Sequence, residues 1–266
     1  MRQTFNFSFK SSFLVSAFTV LGCVPSKSSD TSSLDTSPIK TVAIIGDSQT
    51  AGEYGAQLAS RVLNDSKQRM TYFGGASSAR IHHWIDGGFA AIPADFFRTC
   101  ESPSGDVSCT PSLKPGTKTR SINSIISSFP EIDAFIITLG DNHLYDPVSA
   151  EPFTNELTDL LLSKGKKCAF VTPTLGLGKF KDKETLMKSI ERGLEKARSK
   201  YGRTCVFVDS YHMGKDVIKN QSDKATLEAS LERDYMKLHP SGEGAKLWAN
   251  RVFEALVEKD FLHALK

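Results

Sequence analysis

The feature that most limits the fold of this chain is a series of short apolar runs, each followed by a longer segment with helical spacing. The runs are Thr41–Ile45, Met70–Phe73, Ile132–Leu139, Cys168–Val171 and Cys205–Val208. Helical intervals appear in Tyr54–Leu63, Phe153–Leu162, Glu184–Lys200 and Ser241–Val257. In the last of these, Ala245, Trp248, Ala249, Val252, Phe253 and Leu256 fall on one stripe. Several runs are apolar without alternation, which a strand needs only when both faces of its sheet are covered. The pattern predicts a three-layer, flavodoxin-like α/β sandwich with a five-stranded parallel sheet, in one domain over residues 39–266. Ligands of such sheets sit beyond the carboxyl ends of the strands.

Composition narrows the class further. Of 266 residues, 39% are hydrophobic and 24% charged, which excludes a disordered chain, a collagen-like repeat and a polytopic membrane protein. The formal charge of +3 is too small to point to nucleic acid. Part of it belongs to residues 1–22, which hold Arg2, Lys10 and no acid. Without that pair, the 33 basic residues fall to 31, against 30 acidic ones.

Residues 1–22 have the character of an export signal. The apolar run Phe13–Leu21 is too short to cross a bilayer and ends in Val20-Leu21-Gly22-Cys23. This resembles the bacterial lipobox, with Val20 where Leu is usual. The resemblance implies that Cys23 is lipidated and becomes the mature N-terminus. Val24 is not acidic, so the expected site is the periplasmic face of the outer membrane. Residues 23–38, rich in Ser, Thr and Asp, read as a flexible tether. An exported chain meets an oxidising compartment, where Cys100, Cys109, Cys168 and Cys205 can pair in three ways. Cys168 and Cys205 each open an apolar strand, so neighbouring strands would bring them within bonding distance. Cys100 and Cys109 flank a segment with Pro103 and Gly105 that can turn back on itself. Both lie in Gly87–Thr119, which interrupts the strand–helix rhythm and is expected to be an insertion near the active edge.

The chemistry-bearing residues stand at strand ends. Ser48 follows the first strand in Gly46-Asp47-Ser48-Gln49-Thr50; as a bare pattern it could equally be a helix cap. Asn142 follows the third strand in Leu139-Gly140-Asp141-Asn142-His143, and His239 precedes the last helix in Leu238-His239-Pro240-Ser241-Gly242. No Gly-x-Ser-x-Gly elbow, phosphate loop, dinucleotide fingerprint or zinc-ligand spacing is present, so no cofactor and no metal is expected. His82 and His83 are adjacent and would point different ways, a poor metal pair. With Arg80 and Trp84 they form either a sugar- or acyl-contacting wall or a solvated helix start.

Gly46-Asp47-Ser48, Gly74-Gly75-Ala76-Ser77-Ser78, Gly140-Asp141-Asn142 and His239-Pro240, in this order, resemble the SGNH, or GDSL, hydrolase family. The resemblance implies a Ser48 nucleophile, a His239 base, and an oxyanion hole from the Ser48 N–H, a second-loop N–H and the Asn142 amide. Gly75 is the expected second-loop donor, with Ser78 as the alternative. Asp47, Ser78, Arg80 and His143 are expected to contact substrate. The family's acid stands three before the His, where this chain has Met236. Asp234, five before, takes that role if the turn bulges; otherwise a backbone carbonyl serves a Ser–His dyad. The implied function is ester hydrolysis at the cell envelope, most naturally of O-acetyl groups on a glycan, by a monomer. Acetyl transfer through the same site and a non-catalytic glycan-binding lipoprotein are the alternatives, the second favoured by the missing acid at Met236.

Overall fold

A computed structural model describes residues 38–91, 97–101, 117–178, 182–217 and 220–265. Residues 1–37, with Cys23, the expected export signal and all but the last residue of the expected tether, lie outside the described residues, as do Cys109 and most of the 87–119 segment. The strands are β1 (Thr41–Gly46), β2 (Arg69–Ala76), β3 (Phe97–Glu101), β4 (Ala134–Thr138), β5 (Lys167–Val171) and β6 (Val206–Val208). They form one sheet in the order β3-β2-β1-β4-β5-β6. Every residue of β1 and β4 is buried, as the apolar runs require of central parallel strands.

The helices are α1 (Ser48–Ala51), α2 (Glu53–Asp65), α3 (His82–Asp86), α4 (Ile122–Ser128), α5 (Ala150–Ser163), α6 (Glu184–Tyr201), α7 (Ser210–Val217), α8 (Gln221–Glu232) and α9 (Gly242–Glu258). Neighbouring residues of β2 show how they layer. A Cβ on Gly74 would lie 2.8 Å from Trp84 of α3, whereas one on Gly75 would lie 2.3 Å from the Ala51 nitrogen of α1. Successive strand residues face opposite ways, so α1 and α3 cover opposite faces. Helices α2, α8 and α9 extend the α1 layer, and α4, α5 and α6 extend the α3 layer. The sandwich therefore has three layers, as the sequence pattern predicts.

The sheet differs from expectation in one strand. The insertion supplies β3, which pairs antiparallel with β2 from Tyr72↔Glu101 to Ala76↔Phe97. The sheet thus has six strands, five of them parallel, rather than five in all. The extra partner also lengthens β2. Gly74 and Gly75 stay inside the strand, held by β1 on one side and β3 on the other, instead of opening the following loop.

Cys168 and Cys205 are disulfide-bonded, with Cα atoms 4.5 Å apart. The parallel register of β5 and β6 begins one residue later, at Ala169↔Val206, and sets the two cysteines side by side. Cys100 is also oxidised to a disulfide; its expected partner Cys109 is outside the described residues. Among the described residues no helix is long and apolar enough to cross a membrane.

Candidate active site

Ser48 is placed by the end of β1. The chain leaves Gly46, and Asp47 caps the single turn of α1, its Oδ1 accepting from the Gln49 N–H at 3.0 Å. That cap fixes the Ser48 backbone at a helix N-terminus, where N–H groups point outward. Behind it, Gly75 lets β2 approach the backbone of α1 more closely than any side chain would allow.

His239 arrives from the other end of the chain. Helix α8 ends, and a turn closed by Lys237 N–H to the Asp234 carbonyl (3.0 Å) follows. Lys237 adopts φ +54°, a left-handed conformation that bulges the turn. The bulge folds the Asp234 carboxylate back over the residues after it. Its Oδ2 accepts from the Leu238 N–H at 2.8 Å and the His239 N–H at 3.0 Å, and lies 3.0 Å from His239 Nδ1. On the other side of the ring, His239 Nε2 lies 2.8 Å from Ser48 Oγ. With a carboxylate at Nδ1, the proton belongs on that nitrogen and Nε2 is left to accept from Ser48. Burial works to raise the Asp234 pKa, but the Leu238 and His239 N–H groups and the imidazole outweigh it and hold the carboxyl below its usual value. Of the two arrangements open to the sequence, the structure has the carboxylate.

Asn142 stands in the turn after β4, entered through Gly140 at φ +142°. Its Nδ2 donates to the Ala79 carbonyl at 2.9 Å, which ties it to the loop after β2 and leaves the second amide hydrogen for another acceptor. In that loop Ser78 adopts φ +63°, a conformation that favours glycine. Ser78, the alternative second-loop donor, is thus the residue of this loop whose backbone is left-handed. Gly75, the expected donor, lies within β2, paired with Gly46 and Arg98, and not in the loop that follows.

Two expected substrate contacts are buried. Asp47 is only 1% exposed and serves as the α1 cap. Burial, with nearby Asp141, pushes its pKa up to about 8 against the pull of the Gln49 and Gly140 N–H groups and Lys183. His143 is fully buried: Nε2 accepts from the Ile81 N–H at 3.3 Å, and Nδ1 meets Ser149 Oγ at 2.9 Å. It joins two loops behind the site rather than forming a wall. Burial, with Arg80 nearby, lowers its pKa to about 4. Trp84 is likewise fully buried, its Nε1 donating to the Gly46 carbonyl at 3.2 Å, so it supports β1 instead of meeting ligand. His82 and His83 open α3, with His83 stacked on Phe89. Arg80 remains half-buried at the edge of the Asn142–Ala79 contact.

Three residues the sequence reading passed over lie beneath the site. Gln49 Nε2 donates to Asp141 Oδ2 (2.9 Å) and to the Leu238 carbonyl (2.6 Å). Lys183 Nζ donates to Asp141 Oδ1 (2.5 Å) and to the Thr174 carbonyl (2.6 Å). Gln49 and Asp141 sit inside the motifs that gave Ser48 and Asn142, which was the available signal. Lys183 had none. A cavity lined by Met213, Asp223, Arg251 and Glu258 contains none of these groups.

No protein-family model matches the chain, and no curated protein matches it. Its fold is similar to that of the YxiM protein of Bacillus subtilis, with a TM-score of 0.51 and 13% identity over 83% of this chain. The chain spans 57% of the length of that structure. A protein from Slackia heliotrinireducens, described as a putative SGNH hydrolase, aligns with a TM-score of 0.44 and 13% identity, over 82% of this chain and 99% of that one.

Proposed function

We propose that this chain is a serine esterase of the SGNH hydrolase type. The observation that carries the reading is the relay from Asp234 Oδ2 through the His239 ring to Ser48 Oγ, at 3.0 and 2.8 Å. A serine hydroxyl is a poor nucleophile at its own pKa, and a base at hydrogen-bond distance, itself oriented by a carboxylate, is the arrangement that activates it. Ser48 Oγ attacks the ester carbonyl while His239 Nε2 takes its proton. The oxyanion is held by the Ser48 and Ser78 N–H groups and the free Asn142 amide hydrogen, each donor contributing about 3–4 kcal/mol. His239 then gives the proton to the departing alcohol, leaving an acyl-Ser48. Water, deprotonated by the same imidazole, releases the acid and restores the hydroxyl.

Asp234 at the imidazole, two residues before Met236, supports the catalytic reading over a degenerate binding fold. The substrate class we favour is an O-acetylated glycan of the cell envelope, with Arg80 and Ser78 contacting it and Cys23 lipid holding the enzyme at the membrane. The export signal, the lipobox-like Cys23 and the tether support that location. The deciding experiment is fluorophosphonate labelling of the protein, with acetate release measured from acetylated glycans and p-nitrophenyl esters of increasing chain length. Labelling at Ser48 that tracks acetate release is expected. Full turnover of an acetyl ester by Ser48→Ala overturns the reading.

A further inference from the structure

We propose that Lys183 is a positioning residue for the catalytic groups, a role that rests on the esterase reading of Ser48 and His239. Its side chain is fully buried, and the ion pair it makes with Asp141 has almost no solvent access. A buried ion pair is no bargain for stability; apolar residues of similar volume often serve as well or better. What this one contributes is connection. Lys183 Nζ joins the Thr174 carbonyl to Asp141 Oδ1; Asp141 Oδ2 receives Gln49 Nε2; Gln49 Nε2 also reaches the Leu238 carbonyl. Thr174 Oγ1, 3.5 Å from the same carbonyl, closes the ring.

Three members of this ring are the immediate chain neighbours of groups that do chemistry. Gln49 follows Ser48, Asp141 precedes Asn142, and Leu238 precedes His239. The three come from the ends of β1 and β4 and from the loop before α9, with no other covalent connection between them. Lys183, at the start of α6, and Thr174, in the segment after β5, brace them from a fourth and fifth segment. A shift of the Asp141 carboxylate therefore moves the Asn142 amide relative to Ser48, and a shift of Gln49 changes the approach of His239. Displacements of about 1 Å at such groups can cost about a hundredfold in rate.

The test uses the full-length protein with p-nitrophenyl acetate, with active sites counted by complete fluorophosphonate titration, so that kcat is expressed per reactive Ser48. Lys183→Met should lower kcat per titrated site by about tenfold or more, with KM within about twofold. The double variant Lys183→Met/Asp141→Asn removes both charges; it should recover thermal stability without recovering kcat. Gln49→Leu cuts the same ring without changing any charge and should show the same loss of kcat, which keeps the test open if Lys183→Met is poorly folded. Wild-type kcat per site in folded Lys183→Met, or in Gln49→Leu, overturns the proposal. So does recovery of both stability and kcat in the double variant, which would make Lys183 a charge partner alone. A wild-type protein that takes no fluorophosphonate and cleaves no ester overturns the esterase reading and, with it, this one.

Discussion

Asp234 lies five residues before His239, yet its carboxylate reaches both the backbone N–H and the ring Nδ1 of that histidine at 3.0 Å. The turn that makes this possible is bulged at Lys237 and throws Tyr235 almost wholly into solvent. One oxygen thus sets the position of the His239 backbone and the tautomer of its ring.

Asp234→Asn is expected to keep the fold but lower kcat by about a thousandfold or more. The amide oxygen of Asn can still accept from one backbone N–H, while its NH2 group cannot accept from Nδ1–H. The imidazole would then carry its proton on Nε2, facing Ser48, where an acceptor is needed. Ester hydrolysis with matched circular dichroism checks this, and a change under about threefold would show that the carboxylate is a turn cap only.

Asp47 predicts a pH effect on stability. Its ordinary pKa is 3.8, and burial together with Asp141 pushes it up to about 8 in the folded chain. Between those values the native form retains a proton that the unfolded form has lost, so this group's contribution to stability declines as pH rises through that window. The slope is at most about 1.4 kcal/mol per pH unit. Asp47→Asn keeps an oxygen for the Gln49 N–H but cannot titrate. Urea midpoints at pH 6.5 and 8 should fall more in the wild type than in the variant; equal slopes would assign the pH dependence to other groups.

The two small residues near the end of β2 should respond oppositely to exchange. Ser78 holds φ +63°, so Ser78→Gly relieves backbone strain, keeps the N–H proposed for the oxyanion, and should leave turnover of p-nitrophenyl acetate, which lacks the glycan proposed to meet the Ser78 side chain, within about twofold, with stability changed by no more than about 1 kcal/mol. Gly75→Ala drives a Cβ to 2.3 Å from the Ala51 nitrogen, directly behind the Ser48 turn. It should destabilise the protein and lower turnover. Thermal melts and acetyl-ester kinetics on both variants distinguish the positions, and a harmless Gly75→Ala would refute the packing argument.

The parts legible in the sequence were those with a local cause. Continuous apolar runs gave β1 and β4 because burial on both faces leaves that imprint on each strand alone. Ser48, Asn142 and His239 could be picked out because each stands in a short pattern at a strand or helix end. Strand β3 was hidden, since an antiparallel edge strand inside a long insertion needs only a partner, here Tyr72–Ala76. That pairing in turn moved Gly75 from loop to strand. Lys183 was invisible for a related reason: its importance comes from Asp141 and Thr174, 42 and 9 residues away, and no spacing rule connects them. Asp47 and His143 misled because a polar residue inside a motif looks exposed until its burial is known.

The disulfide between Cys168 and Cys205 supplies the last prediction. It joins the first residues of two neighbouring apolar runs across a sequence separation of 37. In the chain-entropy account, a loop of that length stabilises the folded state by about 3–4 kcal/mol through restriction of the unfolded chain. Both cysteines are almost fully buried, and Thr158 Oγ1 lies 3.7 Å from the Cys205 sulfur, so replacement by two alanines also leaves a small void beside α5. The pair sits at the amino ends of β5 and β6, whereas Ser48, Asn142 and His239 gather at the carboxyl edge. Cys168→Ala/Cys205→Ala should therefore lower the urea midpoint markedly while leaving kcat for an acetyl ester unchanged at low temperature. Peptide mapping of the wild type without reductant must show the 168–205 linkage; free thiols there, or a variant as stable as the wild type, would refute it.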